Sequence, residues 1–422
     1  MSFNFDKDFD IELSDFNVKK RDLSFRYWLY TEAGGSVEGC RVEDGVVYFG
    51  CCDFYVYAVD AETGKLIWKF RTGGMNPCNS LEIFGDTLFV NSYDGFLYAL
   101  DRRTGAEKWR FKTGDKCWGT PACYDGIVYF GSKDTHLYAV EAATGKEVWR
   151  FKTGDMLVTT PTAYREFLIF SSYDGYLYMV DRKTGKETNR FKTAGSIVSV
   201  KKFTIEKGVI YFNSYDGNIY ALDLDRWKEI WRFKTGLGIT CTPVLEGSML
   251  YFGSHDNYFY CIDKESGKEV WRFRTGDRNG TSVPAIARGS VYFGSKDHNF
   301  YCLDKETGSE KWRFKTMNEI WCPVSVHGES VIFGSMDCHV YRLDAGTGKK
   351  IWSFLTSTKT VAHYSAVEEV SAEVAFRPQD YEKTSEDKYD FISSAAIDIK
   401  SEYTLRSEYS FKPEYQTKSE YK

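Results

Sequence analysis

The feature that constrains this chain most is a repeat. Ile127 to Asp155 reads IVYFGSKDTHLYAVEAATGKEVWRFKTGD, and variants of that stretch recur along most of the sequence. Eight aspartates mark the register: Asp53, Asp94, Asp134, Asp174, Asp216, Asp256, Asp297 and Asp337. A tryptophan ladder runs beside them through Trp28, Trp68, Trp109, Trp149, Trp231, Trp271, Trp312 and Trp352, with Asn189 standing in its gap. Rungs lie 40 to 42 residues apart, which leaves no room for an inserted domain between about residue 26 and residue 357. A period of this length means one supersecondary unit that buries its faces against its neighbours.

Each unit reads as four short strands. In the third, Trp118–Tyr124 is the innermost, and Ile127–Gly131 and Leu137–Val140 are almost continuously apolar, as strands buried on both faces should be. Val148–Thr153 alternates, with Trp149 and Phe151 on one side and Arg150 and Lys152 on the other. A hairpin at Gly131–Thr135 joins the second and third strands, and a Thr144-Gly145-Lys146 turn joins the third and fourth. A linear solenoid would need polar caps at its ends, yet the end units are as apolar as the middle ones. The prediction is an all-β, eight-bladed β-propeller of four-stranded antiparallel blades over residues 24–360. An acidic N-terminal arm (1–23) precedes it, and a low-complexity, Tyr/Glu-rich C-terminal tail (361–422) follows.

The Asp-x-x-Thr-Gly-Lys-x-x-Trp pattern resembles the tryptophan-docking repeat of PQQ-type propellers, a family that includes quinoprotein alcohol dehydrogenases and the BamB-like outer-membrane assembly factor. The resemblance covers about 330 of the 422 residues. It implies that Trp68, Trp109, Trp149, Trp231, Trp271, Trp312 and Trp352 pack between neighbouring blades. It speaks to fold and not to function. Unit four carries Asn189, and unit five replaces Thr-Gly with Arg226-Trp227, so the seam between them should be the least regular. Residues 24–33 look like a ninth outermost strand. Either they close the ring on the last blade, or the Trp352 strand pairs locally through its Thr347-Gly348-Lys349 turn.

Charge narrows the partner classes. The tail holds 13 acidic and 8 basic residues, and its net −5 equals that of the whole chain. The remainder is therefore neutral, with no basic footprint for nucleic acid. The N-terminal arm has no apolar run, so neither a signal peptide nor membrane insertion is expected, and the expected location is cytoplasmic. The exported relatives differ in this. An odd count of 11 cysteines suits that compartment, and Cys261 and Cys302 sit where other units carry Ala99 and Ala139. In the tail, Tyr403, Tyr409, Tyr415 and Tyr421 recur every six residues, each after a glutamate, and suggest an interaction arm.

Function should sit where the scaffold varies. The loops leading to the innermost strands carry Glu38, Asn76, Cys78, Cys117, Trp118, Thr159, Cys241, Arg278, Asn279, Trp321 and Cys322 around the channel mouth. Cys51-Cys52 resembles the adjacent cysteine pair that contacts the quinone in quinoprotein dehydrogenases, but Cys51 occupies a position that is serine in other units. No calcium-binding carboxylate set can be assigned. His136, His255, His298 and His339 share the mouth side without any C-x-x-C spacing, and no nucleophile elbow, phosphate loop or HExxH is present. The expectation is a non-catalytic scaffold without metal or cofactor, binding a protein partner or small ligand at the mouth. The alternative is a PQQ- and calcium-dependent oxidoreductase or a small-ligand sensor.

Overall fold

In a computed structural model of the chain, the described residues are Val37, 39–76, 81–280 and 282–356. Trp28, the proposed ninth strand, Glu38, Cys78 and the tyrosine series of the tail lie outside them. The described residues form 32 strands in eight antiparallel sheets of four, each sheet in plain sequence order. This is the eight-bladed propeller, with blade one at Cys40–Arg71 and blade eight at Ser325–Leu355.

Blade three shows why the sequence folds this way. The second and third strands, Ile127–Gly131 and His136–Glu141, are buried through their centres between neighbouring blades. The fourth, Glu147–Lys152, turns Trp149 and Phe151 inward and leaves Arg150 and Lys152 exposed, which discourages pairing at the outer edge. The pairing of third and fourth strands slips by one residue at Ala139/Val140, opposite Trp149, and the same slip recurs at Ala58/Val59 and Cys302/Leu303. Such bulges re-aim a side chain and increase local twist. The innermost strand is shorter than expected, Ala122–Tyr124. Pro121 donates no hydrogen bond, and the residues before it belong to the loop crossing the mouth.

Among the described residues two latches hold each regular seam but that between blades eight and one, where only the tryptophan latch is described. On one face, the tryptophan of a blade's outer strand lies on the glycine of the next blade's Thr-Gly turn. Trp109 Nε1 donates to Ala142 O at 3.2 Å, and its ring so fills the space beside Gly145 (φ 72°) that a Cβ there would fall 2.6 Å from a ring carbon. Trp68, Trp149, Trp231, Trp271, Trp312 and Trp352 repeat the donation at 3.0–3.2 Å. On the other face, the repeat aspartate reaches back across the seam. Asp134 Oδ2 accepts the Gly114 N–H at 2.6 Å and the Tyr138 hydroxyl at 2.7 Å. Asp94, Asp174, Asp216, Asp256, Asp297 and Asp337 make the same backward bond at 2.7–3.1 Å. Burial, and then the aspartate, raise the pKa of Tyr138.

The last strand, Lys350–Leu355, pairs locally with His339–Asp344 through the nearby hairpin, as one of the two closures expected. Side chains complete the ring: Trp352 and Arg342 both donate to Ala61 O, and Ser325 Oγ donates to Cys40 O at 2.6 Å.

The fourth seam keeps the aspartate latch and reverses the tryptophan latch. Asn189 replaces the ring, and Trp227 (φ 52°) takes the place of the next blade's glycine. Its ring packs against a cluster containing Met179 and Leu224, where Met179 faces Asn189 in place of the usual alanine. The ring has moved to the other side of the seam. Unlike the docked tryptophans, the buried Trp227 Nε1 finds no acceptor among the described residues.

This reversal generates a double-mutant test. Trp227→Gly alone should cost roughly 3–5 kcal/mol by leaving a cavity, and Asn189→Trp alone about 1–3 kcal/mol by overpacking. The double variant restores the common latch and should be more stable than either single one in urea denaturation. Additive losses would show that the two positions do not share one space.

Candidate functional site

The loops that approach the channel are tightly packed. Thr159, Cys241 and Cys322 are fully buried, and each side chain accepts the N–H of the residue twelve positions on: Ser171, Gly253 and Gly334, at 3.1–3.2 Å. Ser282 does the same for Gly294 at 2.9 Å. These side chains pin the end of their blade's second strand. Cys117 lies 3.3 Å from Thr113 Oγ1. Asn76 and Asn279 are buried and brace their own turns through Thr72 and Thr275. Burial pushes the Cys117 and Cys241 thiols up to about 12, so both stay neutral.

Trp118 is 7% exposed and packs with Met156, Val158, Tyr173 and Val198 on the mouth face. Tyr93 meets it edge-on at 5.4 Å, and the Lys133 ammonium lies 4.8 Å over its ring. Trp118 thus has no open face on which a planar quinone could stack. Cys51 and Cys52 are also buried, and burial raises the Cys51 thiol well above its usual range, followed by the Asp53 charge. The residues present do not fit the quinone. Trp321 differs from Trp118: it is half-buried, its Nε1 donates to Glu319, and Lys296 lies 4.2 Å over its ring. Arg278 is half-buried on the same face, and Met317, in the Trp321 loop, is 62% exposed. The turn histidines are occupied locally, His136 by Asp134 and His339 by Asp337. Among the described residues no group of three or more His, Cys, Asp or Glu could hold a metal ion.

The channel itself carries a network that the sequence reading missed. Register places Arg41, Glu82, Ala122, Thr162, Thr204, Val244, Ala285 and Ser325 at equivalent positions of the eight innermost strands. Six are small or medium, and two adjacent ones are charged. Arg41 binds Glu82, whose other oxygen lies 2.9 Å from Lys202 Nζ of blade five. The Lys202 ammonium also lies 4.9 Å over the Tyr124 ring. Desolvation pulls its pKa down, but the Glu82 charge and Tyr124 outweigh that, and it ends above the ordinary lysine value. Thr120 Oγ1 donates to Val200 O at 3.1 Å, so blades three and five also touch across the channel. The signal was available: a charge at a position where most blades have small residues.

Known proteins share this architecture. The family described as outer membrane protein assembly factor BamB matches residues 52–273 and 260–383. BamB from Moraxella catarrhalis superposes with a TM-score of 0.60 at 16% identity, over 75% of this chain and 96% of that one. A quinohemoprotein alcohol dehydrogenase from Pseudomonas putida HK5 gives 0.61 at 16% identity, over 70% and 69%. At these identities the likeness is one of fold. A stretch of 62 residues is 39% identical to a tetrathionate hydrolase of Acidithiobacillus ferrooxidans, and it spans 15% of this chain and only 12% of that relative.

The trio around buried Glu82 makes a stability prediction. Glu82→Ala removes the buried carboxylate that Arg41 and Lys202 share; both cations stay within reach of water, so the loss of its charge-assisted hydrogen bonds should cost about 1.5–3 kcal/mol. Glu246→Ala, whose exposed pair with Lys305 is worth about 1 kcal/mol or less, is the comparison. Equal losses in chemical denaturation would show that the trio is only a surface pair.

Proposed function

From the premise that this chain belongs to the BamB-like family of repeat propellers, we propose that it is a non-catalytic cytoplasmic scaffold that holds a protein partner on its mouth face. The observation that carries this reading is the anchored aromatic surface around Trp321. Its ring is held by Glu319 and covered by Lys296, yet it stays accessible beside exposed Met317. Rigid tryptophan, exposed methionine and a neighbouring arginine are the residue types that dominate binding energy at protein interfaces. A family named for an assembly factor suits such a role.

The cytoplasmic part rests on the cysteines. Cys123 and Cys261 are buried neutral thiols, pushed up to about 12 by burial, which fill space as a small hydrophobe would. Among the described residues no helix is long and apolar enough to cross a membrane. The tail, outside the described residues, is proposed as a second contact arm, with Tyr403, Tyr409, Tyr415 and Tyr421 as its anchors. The oxidoreductase alternative, with PQQ and calcium, rests on likeness to the alcohol dehydrogenase.

Affinity capture with the intact chain, Trp321→Ala, and a tyrosine-to-serine tail variant tests the scaffold. Trp321→Ala should weaken retention of the captured partner by about 2 kcal/mol, roughly thirtyfold, with the thermal midpoint unchanged. The tail variant should weaken it further. Retention unchanged in both variants contradicts the scaffold reading. In the same preparation, PQQ with calcium should leave the thermal midpoint where it is, since a ligand of the native state alone must raise it. A dose-dependent rise would favour the oxidoreductase.

A further inference from the structure

Between the innermost strands, the channel contains a cavity of about 470 Å³. Most of the surface it exposes is polar; Val42, Leu245, Ile286 and Val326, from the innermost strands of blades one, six, seven and eight, add aliphatic side chains, and Arg41 and Lys201 supply its cations. Each innermost strand has one hydrogen-bonded neighbour only, so its other edge turns N–H and C=O groups toward the channel. The cavity reaches Glu246, the last residue before a hairpin on the face opposite the mouth.

The charges around it are matched, with one exception. Glu82 is shared by Arg41 and Lys202, Arg41 also reaches Glu43, and Glu246 is paired with Lys305. Among the described residues, no carboxylate lies within ion-pair distance of Lys201. Its backbone is fixed, because its carbonyl accepts from Ser199 Oγ at 3.1 Å and Thr242 Oγ1 at 3.4 Å.

Position 201 has also been released from the task it performs in other blades. Its equivalents Thr159, Cys241, Ser282 and Cys322 pin the N–H twelve residues on. In blade five the residue twelve on is Asn213, whose own Nδ2 makes the connection by donating to Val198 O at 3.0 Å and Ile239 O at 2.9 Å. Asn213 does the bracing, and the lysine extends into the cavity.

We propose that this cavity binds a small organic monoanion, a carboxylate on an apolar body, with Lys201 as its counter-ion. The volume falls in the range of small-molecule sites, and four aliphatic side chains beside a cation suit a carboxylate on a short hydrocarbon body. Among the described residues one cation of the cavity is unmatched, which calls for one negative charge. Lys201 stays accessible to water because it lines the cavity, yet protein surrounds it, and the resulting desolvation lowers its pKa. A bound carboxylate offsets that desolvation through a charge-assisted hydrogen bond. The site lies apart from Trp321, so it stands or falls independently of the mouth-face reading.

Isothermal titration of the full-length protein with octanoate, octan-1-ol and octylammonium tests the site. Octanoate should bind once per chain, with the other two about tenfold or more weaker. Lys201→Met should weaken octanoate about tenfold or more, Lys201→Arg should retain most of it, and Lys146→Met, in an exposed turn, should change nothing. Lys201→Met removes a desolvated charge, so its thermal midpoint should hold or rise, and Val244→Trp should block the cavity if that variant does not fold. No octanoate binding, equal binding of octanol, or full binding by Lys201→Met would each overturn the proposal.

Discussion

The rest of this structure depends on an indole ring lying flat on a glycine. A ring of eight sheets closes only if each seam holds the same spacing, because any error accumulates around the circle. A tryptophan docked on a positive-φ glycine fixes that spacing sterically, since no Cβ fits beneath the ring. Its Nε1 bond to a turn carbonyl fixes the orientation. The aspartate latch acts at the opposite face and in the opposite sense, reaching back to the blade before. Two latches at two faces resist both splaying and rotation of neighbouring sheets.

With the frame held at its seams, the innermost strands carry little of the load, and they are where the blades differ most. The equivalents of Arg41 and Glu82 are small or medium in six blades. An ion trio with a buried carboxylate and two cations open to water adds little stability, since desolvation of Glu82 and solvent screening of its partners offset much of the attraction. It places charge across the channel beside Lys201, which has no carboxylate within ion-pair distance among the described residues. On the mouth face Trp118 is packed among apolar neighbours, and Trp321 stays half-buried under Lys296.

How much of this was legible in the sequence depended on repetition. The tryptophan ladder, the eight blades and the outward Arg and Lys of the outer strands were plain because one residue type returns every 40 to 42 residues. The aspartates were visible as a pattern, but their partner, a backbone N–H of the preceding blade, has no sequence signature. Asn189 and Trp227 were recognised as departures, and only the packing around Met179 showed that one compensates for the other. Thr159, Cys241 and Cys322 looked like variable mouth residues because a hydroxyl and a thiol serve equally well as strand pins. Lys202 and Glu82 are 120 positions apart, and their meeting follows only from the closed ring.

The most direct test of the seam scheme is amide hydrogen exchange at the latch donors. Gly114, Gly154, Gly236 and Gly276 lie in exposed turns, where an unbonded N–H would exchange at nearly free-peptide rates. Donation to Asp134, Asp174, Asp256 and Asp297 predicts protection approaching that of the outer strands, lost at Gly114 alone when Asp134 is changed to Ala. Free-peptide exchange at these four glycines in the unaltered protein would contradict the second latch, and the two-latch frame with it.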